Sequence, residues 1–323
     1  MARITVVGSL NYDLVTFTTK VPEGGETYQA DAFENHLGGK GLNEAIATAR
    51  LNGSPQTSVR MVGKVGGDSF GKELKGALVN AGVDVKYVDT VDGVSSGVAV
   101  ILVESSGENR ILITAGANGE LKPTHEEYND IFSGDHSPEF VMLQNEYPDT
   151  IKTIEWLNTN KPDINIAYNP SPFKPELINE RTWAKLDLLI VNEGEAKDVA
   201  GQLLPDTVFG ESNDDYFQLA IKLRGLLNPK NIQTIIITMG SHGCVFFGKG
   251  MDSPQFVPSR KVEKVVDTTG AGDTFFGGII SQLANGHTLA EAVTFATCAS
   301  SIVVQSKGAA ESIPTYETVQ KHL

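Results

Sequence analysis

Cysteine is nearly missing from this 323-residue chain: there are two, Cys244 and Cys298, each set inside an apolar run. Two such residues build no disulfide framework and read as thiols of a reducing compartment. Basic residues are also scarce, 26 Lys and Arg against 40 Asp and Glu, for a formal net charge of −14. That balance repels polyanions, so no nucleic acid is expected as a partner. It does not exclude a nucleotide, which needs only a local positive field and a divalent cation. No uninterrupted apolar run reaches the roughly 18 residues of a membrane span, so no membrane partner is expected either. The first residues, Met-Ala-Arg-Ile-Thr-Val-Val-Gly, read directly as a strand and not as a signal or transit segment, which makes a cytoplasmic location the expectation. The six histidines show no metal-ligand spacing. Repeats, low-complexity tracts and interdomain linkers are missing as well.

What the chain does contain is an alternation of strands and helices. Apolar runs at 3–8, 59–62, 83–88, 140–143, 164–168, 188–191 and 235–238 read as strands, and the segments between them carry helical periods, among them 70–78 and 151–157. Such alternation predicts an α/β fold, a Rossmann-like parallel sheet sandwiched by helices. Two stretches break the rule. Residues 14–35 alternate apolar and polar positions around Pro22-Glu23-Gly24-Gly25, and residues 94–114 form a hairpin pattern turning at Ser105-Ser106-Gly107-Glu108-Asn109. They are expected to pair as a small β-sheet lid, leaving 1–13, 36–93 and 115–323 as the α/β domain.

Residues 267–278, Asp-Thr-Thr-Gly-Ala-Gly-Asp-Thr-Phe-Phe-Gly-Gly, carry the densest chemistry. They follow Val262, Val265 and Val266, which read as a strand, and open a helical run of Phe275, Phe276, Ile279, Ile280 and Leu283. Glycines at 270 and 272 at a helix start make a cradle for an anion, because amide N–H groups there are unpaired and the helix end is partially positive. Asp273 places a carboxylate beside that cradle, which suits a general base next to phosphoryl transfer. The plainer alternative is a glycine turn with Asp273 as its N-cap. Other polar clusters sit at strand ends: Asn11 and Asp13, Asn145-Glu146, Asn169, Asn192-Glu193-Gly194-Glu195 and Met239-Gly240-Ser241-His242-Gly243. Open α/β sheets bind ligands there, although Asx turns alone would also account for Asn11 and Asp13. The segment His36-Leu37-Gly38-Gly39-Lys40-Gly41-Leu42-Asn43 opens a further helix without the spacing of a Walker A loop.

Taken together and in this order, Gly8-Ser9-Leu10-Asn11-Tyr12-Asp13, Gly38 to Asn43, Gly107-Glu108-Asn109, Asn192 to Glu195, Thr238 to Gly243 and Asp267 to Asp273 resemble the ribokinase family of sugar and nucleoside kinases, over essentially the whole length. The resemblance implies a ribokinase-like fold and ATP-dependent phosphorylation of the 5-hydroxyl of D-ribose, with Asp273 as base and Gly270, Ala271 and Gly272 as anion hole. It implies sugar contacts from Asn11, Asp13, Gly39, Lys40, Gly41, Asn43 and Glu146. ATP would be held by Asn192, Thr238, Met239, Gly240, Ser241, His242, Gly243, Gly272 and Thr297. Mg²⁺ would be organised through water by Glu195. An activating K⁺ would be bound by Asp267 and Ser312, with carbonyls of Thr269, Val303, Ser306 and Gly308. It further implies a homodimer formed through the lid sheets. Alternatives within enzymes are a 2-deoxyribose or fructose kinase, or adenosine kinase; outside them, an inactive binding protein on the same fold.

Overall fold

The structure is a computed structural model, which describes residues 1–106, 108–205, 207 and 210–323. Gly107, the centre of the expected hairpin turn and part of the Gly107-Glu108-Asn109 motif, lies outside the described residues.

Among the described residues there are thirteen strands and ten α-helices. The strands are β1 (Ala2–Val7), β2 (Asn11–Thr18), β3 (Ala32–Gly38), β4 (Thr57–Gly66), β5 (Asp84–Val91), β6 (Gly97–Glu104), β7 (Asn109–Thr114), β8 (Glu139–Leu143), β9 (Asn165–Tyr168), β10 (Leu188–Asn192), β11 (Thr234–Thr238), β12 (Gly243–Phe247) and β13 (Gln255–Pro258). The helices are α1 (Lys40–Arg50), α2 (Ser69–Asn80), α3 (His125–Ile131), α4 (Thr150–Asn160), α5 (Glu180–Trp183), α6 (Glu193–Leu203), α7 (Asn213–Gly225), α8 (Ala271–Ala284), α9 (Leu289–Val303) and α10 (Tyr316–Gln320).

Nine strands form one sheet in the order β13-β12-β11-β10-β9-β8-β1-β4-β5. Seven are parallel, and β12 and β13 close one edge antiparallel. Side chains alternate between the faces of a strand, and the core divides accordingly. Leu188 and Ile190 of β10 and Ile236 of β11 join one cluster with Ile46 of α1, Ile279 of α8 and Phe295 of α9. Leu189, Val191, Ile235 and Ile237 join the other, with Ile154 of α4, Val199 of α6 and Leu219 of α7. These strands read as unbroken apolar runs because both faces are covered.

The two irregular stretches form a separate four-stranded sheet, β3-β2-β6-β7. Strand β2 begins at Asn11, so Asn11 and Asp13 stand in a paired strand of this sheet, opposite Gly38 and His36, and not in an Asx turn. The expected strand at Val262–Val266 does not form. Residues 259–268 have no helix or strand, and Val265 and Val266 are 56% and 43% exposed. Their backbone has no neighbouring ladder to join, because the sheet ends at β13; Val266 N–H instead donates to the Val304 carbonyl at 2.7 Å.

Candidate active site

The first turn of α8 is shaped by two glycines with different duties. Gly270 is the N-cap, at φ 76°, and a Cβ on it would lie 2.9 Å from Ala309 Cα. Only glycine fits that conformation and that approach without strain. A Cβ on Gly272 would meet nothing within 4 Å, so open space lies beside this residue. The amides of a first turn have no intrahelical acceptor. Ala271 N–H is taken by the Thr268 carbonyl at 3.2 Å, which leaves those of Gly272 and Asp273 to meet an anion. Asp273 is the third helical residue, not the N-cap, and is 8% exposed.

Asp273 is met by the first turn of a second helix, α1. Lys40 Nζ lies 3.4 Å from Asp273 Oδ1, and Asn43 Nδ2 donates to Oδ2 at 2.9 Å. Helix α1 can come this close because its glycines rest on the β1–β2 connection. A Cβ on Gly41 would be 2.6 Å from the carbonyl carbon of Gly8, and one on Gly39 (φ 88°) 2.8 Å from Asn11 N. Glu146, three residues beyond β8, sits at the start of α1: its Oε2 accepts Lys40 N–H at 2.9 Å and also the Ser9 hydroxyl. A carboxylate there is favoured by the helix dipole. Burial pulls the Lys40 ammonium down, but the carboxylates of Asp273 and Glu146 lead the charges that outweigh it, so its pKa is raised and it stays a cation.

The small sheet supplies a third wall. Asn11 is buried, with Oδ1 accepting from Asn118 Nδ2 at 2.8 Å; the same amide of Asn118 reaches the Leu10 carbonyl at 3.0 Å, and its Oδ1 accepts Leu10 N–H at 2.9 Å. Asn118 thus fixes the rotamer of Asn11 from 107 residues away. Nothing in the local pattern around Gly116-Ala117-Asn118-Gly119 signals that role. Asp13 packs against Gly38, where a Cβ would collide with its carboxylate. Burial first, and then the charges of Glu146 and Glu311, push the Asp13 carboxyl up to about 7, with His36 opposing.

Two clefts, one of them beside α8, share Thr238, Gly240 and Ser241. One, of about 550 Å³, is lined by Gly243, Thr297, Ala271, Gly272 and Phe275, with Val262, Val265 and Val304 as apolar wall. Val262 and Val265, which fail to form a strand, are therefore part of a cleft lining. The other, also about 550 Å³, is lined by Asn192, Met239 and His242. The expected nucleotide residues thus fall on both sides of the β11–β12 turn. Glu195 is partly committed: in a reciprocal capping box its Oε2 accepts Asn192 N–H at 3.0 Å while Asn192 Oδ1 accepts Glu195 N–H at 2.8 Å.

Of the residues expected around a monovalent cation, Asp267, Thr269, Gly308 and Ser312 are joined by hydrogen bonds. Asp267 Oδ1 accepts from Thr269 N–H at 2.9 Å and Oγ1 at 2.6 Å, and Oδ2 from Gly308 N–H at 3.0 Å. Burial would raise its carboxyl, but these hydrogen bonds and His36 hold it low. Ser312 Oγ donates to the Gly308 and Ala309 carbonyls at 2.6 and 2.9 Å, and Ser306 N–H to the Val303 carbonyl at 3.1 Å. The set is carboxylate, hydroxyl and carbonyl, the donors a hard cation takes. No cluster of three or more His, Cys, Asp or Glu that could hold a metal occurs among the described residues. The same loop is tied to β3 by Lys307–Glu34 at 2.8 Å and by Leu37 N–H to Glu311 Oε1 at 3.2 Å.

A buried carboxylate at a glycine-cradled helix start, flanked by a lysine and two clefts at the carboxyl edge of a mostly parallel sheet, is a site for moving a phosphoryl group onto a hydroxyl. The chain belongs to the pfkB family of carbohydrate kinases, whose model matches residues 1–316. It is 38% identical over 318 residues to a ribokinase of Schizosaccharomyces pombe, covering 98% of this chain and 96% of the relative. It is 33% identical to a deoxyribokinase of Salmonella typhi, covering 99% and 98%. Among solved structures it superposes with a TM-score of 0.85 on Arabidopsis thaliana ribokinase complexed with ribose and ATP, at 30% identity and 99% and 98% coverage. No helix among the described residues is long and apolar enough to cross a membrane.

Proposed function

We propose that this chain is a ribokinase: it transfers the γ-phosphoryl of ATP to the 5-hydroxyl of D-ribose, releasing ADP and D-ribose 5-phosphate. The observation that carries the reading is Asp273, buried in the first turn of α8 and held by Lys40 and Asn43 of the first turn of α1. Its carboxylate accepts the hydroxyl proton as the new O–P bond forms and the bond to the ADP oxygen breaks. Negative charge on the moving phosphoryl is met by the amides of Gly272 and Asp273 and by Lys40, groups already in place before reaction. Asn43 holds the base in orientation.

Asn11 and Asp13 on β2, with the Gly39–Gly41 turn and Glu146, are the sugar's hydrogen-bonding partners in this reading. The two clefts that meet at the β11–β12 turn accommodate the nucleotide, with the valine wall against its base. Glu195 keeps one carboxylate oxygen free of its capping box for a Mg²⁺-bound water. The ion supplies charge neutralisation at the phosphates. Asp267, Ser312 and the carbonyls of Thr269, Val303, Ser306 and Gly308 suit K⁺, which would stiffen the loop against which Gly270 packs.

The small sheet acts as a lid that excludes water, which a kinase needs to avoid idle hydrolysis. Its outer strand leaves Ile111, Leu112 and Ile113 at 51%, 70% and 61% exposure. Such an edge favours pairing with a second copy, hence a homodimer. The decisive experiment measures ADP release with D-ribose, 2-deoxyribose, fructose and adenosine as acceptors. Turnover with D-ribose well above the others is the expected result, and no turnover with any of them refutes the assignment.

A further inference from the structure

Behind the base lies a polar pair that this chemistry does not use. Glu44, on α1 one residue past Asn43, and Gln144, one residue past β8, are both fully buried. Gln144 Nε2 donates to Glu44 Oε2. The two remaining oxygens, Glu44 Oε1 and Gln144 Oε1, are both buried and have no hydrogen-bond partner among the described residues. Glu44 forms no ion pair there either, since the ammonium of Lys40 goes to Asp273. Two bare buried acceptors on hydrogen-bonded neighbours, one of them on an ionised carboxylate, would carry a large desolvation cost. A single proton removes it.

We propose that Glu44 is held neutral, its Oε1–H donated to Gln144 Oε1, so that acid and amide close a two-bond ring that positions the base Asp273. Burial, and then the charge of Asp273, push the Glu44 carboxyl well above the usual carboxylate range, with Lys40 and the Gln144 amide opposing and Glu146 adding to it. The ring ties the first turn of α1, whose Asn43 holds Asp273, to the segment that ends in Glu146, which accepts Lys40 N–H. Its neutrality matters as much as its geometry. An ionised Glu44 would favour a protonated Asp273, which cannot act as base.

The first test is spectroscopic and independent of activity. At about pH 9, where Asp13 and Asp187 (pushed up by burial to about 7 and about 6) are ionised, the infrared spectrum of the whole protein should still show a protonated-carboxyl C=O stretch that Glu44→Gln removes. A spectrum without that band overturns the proposal. The second test rests on Asp273 being the base and uses the pH profile of kcat/KM with D-ribose. Glu44→Gln, whose amide also completes the ring, should keep kcat/KM within about threefold and leave the acid limb in place. Gln144→Glu should lower kcat/KM about tenfold or more and move the acid limb up by about one unit, because two facing carboxyls share a single proton and so leave one negative charge behind Asp273. The swap Glu44→Gln with Gln144→Glu should restore both. An acid limb that moves down in Glu44→Gln, or a swap that restores nothing, refutes the ring. Absence of kinase activity in the wild type, with the infrared band present, would refute the assignment of function and leave the ring standing.

Discussion

Sugar affinity should depend on pH through Asp13. Its carboxyl is pushed up to about 7 by burial and by the charges of Glu146 and Glu311. If sugar hydroxyls donate to it, the ionised form is the binding form. About one molecule in eleven carries the ionised Asp13 at pH 6 and about ten in eleven at pH 8, so the dissociation constant for D-ribose should be about tenfold weaker at the lower pH. Near pH 7 binding should release about half a proton, visible in calorimetry as an enthalpy that varies with the ionisation heat of the buffer. Stability of the free protein carries the opposite signature. A raised carboxyl pKa means that the folded state holds the proton longer, so Asp13 contributes a loss of stability as pH rises from about 4 to about 7. Asp13→Asn removes the titration and should flatten both dependences while weakening sugar binding throughout. An affinity that stays level between pH 6 and 8, or that keeps its slope in Asp13→Asn, would refute the reasoning.

Asp273→Asn should lower kcat by about 10²-fold or more with KM for D-ribose and ATP little changed, the size of a lost general base; near-wild-type turnover would remove Asp273 from that role. Replacing K⁺ by Li⁺ at constant ionic strength should depress activity, and Asp267→Ala should abolish the difference between the two ions; equal rates with both ions in the wild type would argue against a cation site in the 303–312 loop. Asn118→Ala strips Leu10 N–H and Asn11 Oδ1 of their partner, so it should cost about 1–3 kcal/mol in chemical denaturation and raise KM for the sugar more than KM for ATP. Leu112→Lys, on the most exposed apolar position of β7, should shift sedimentation from dimer to monomer; a wild type that is already monomeric at micromolar concentration would end the lid-dimer idea and spare the kinase.

Much of this architecture is legible in the sequence because its causes are local. A buried strand needs an unbroken apolar run, a helix a 3.6-residue period, and a left-handed turn a glycine. Strands β8, β10 and β11 and helix α8 follow from those rules within a few residues. The family motifs add the expectation that Asp273 is the base. Tertiary structure decided the rest, because the deciding contacts join residues far apart in the chain. Val262 to Val266 have the composition of a strand, and only the end of the sheet at β13 leaves Val262 and Val265 in a cleft wall. Asn11 and Asp13 have the composition of a turn, and only β3 and β6 make them a strand. Asn118 reaches Asn11 across 107 residues and Gln144 reaches Glu44 across 100, and neither has a local pattern to betray it. A side chain's partner across the core is set by which elements pack together. The sequence encodes that only through the whole fold.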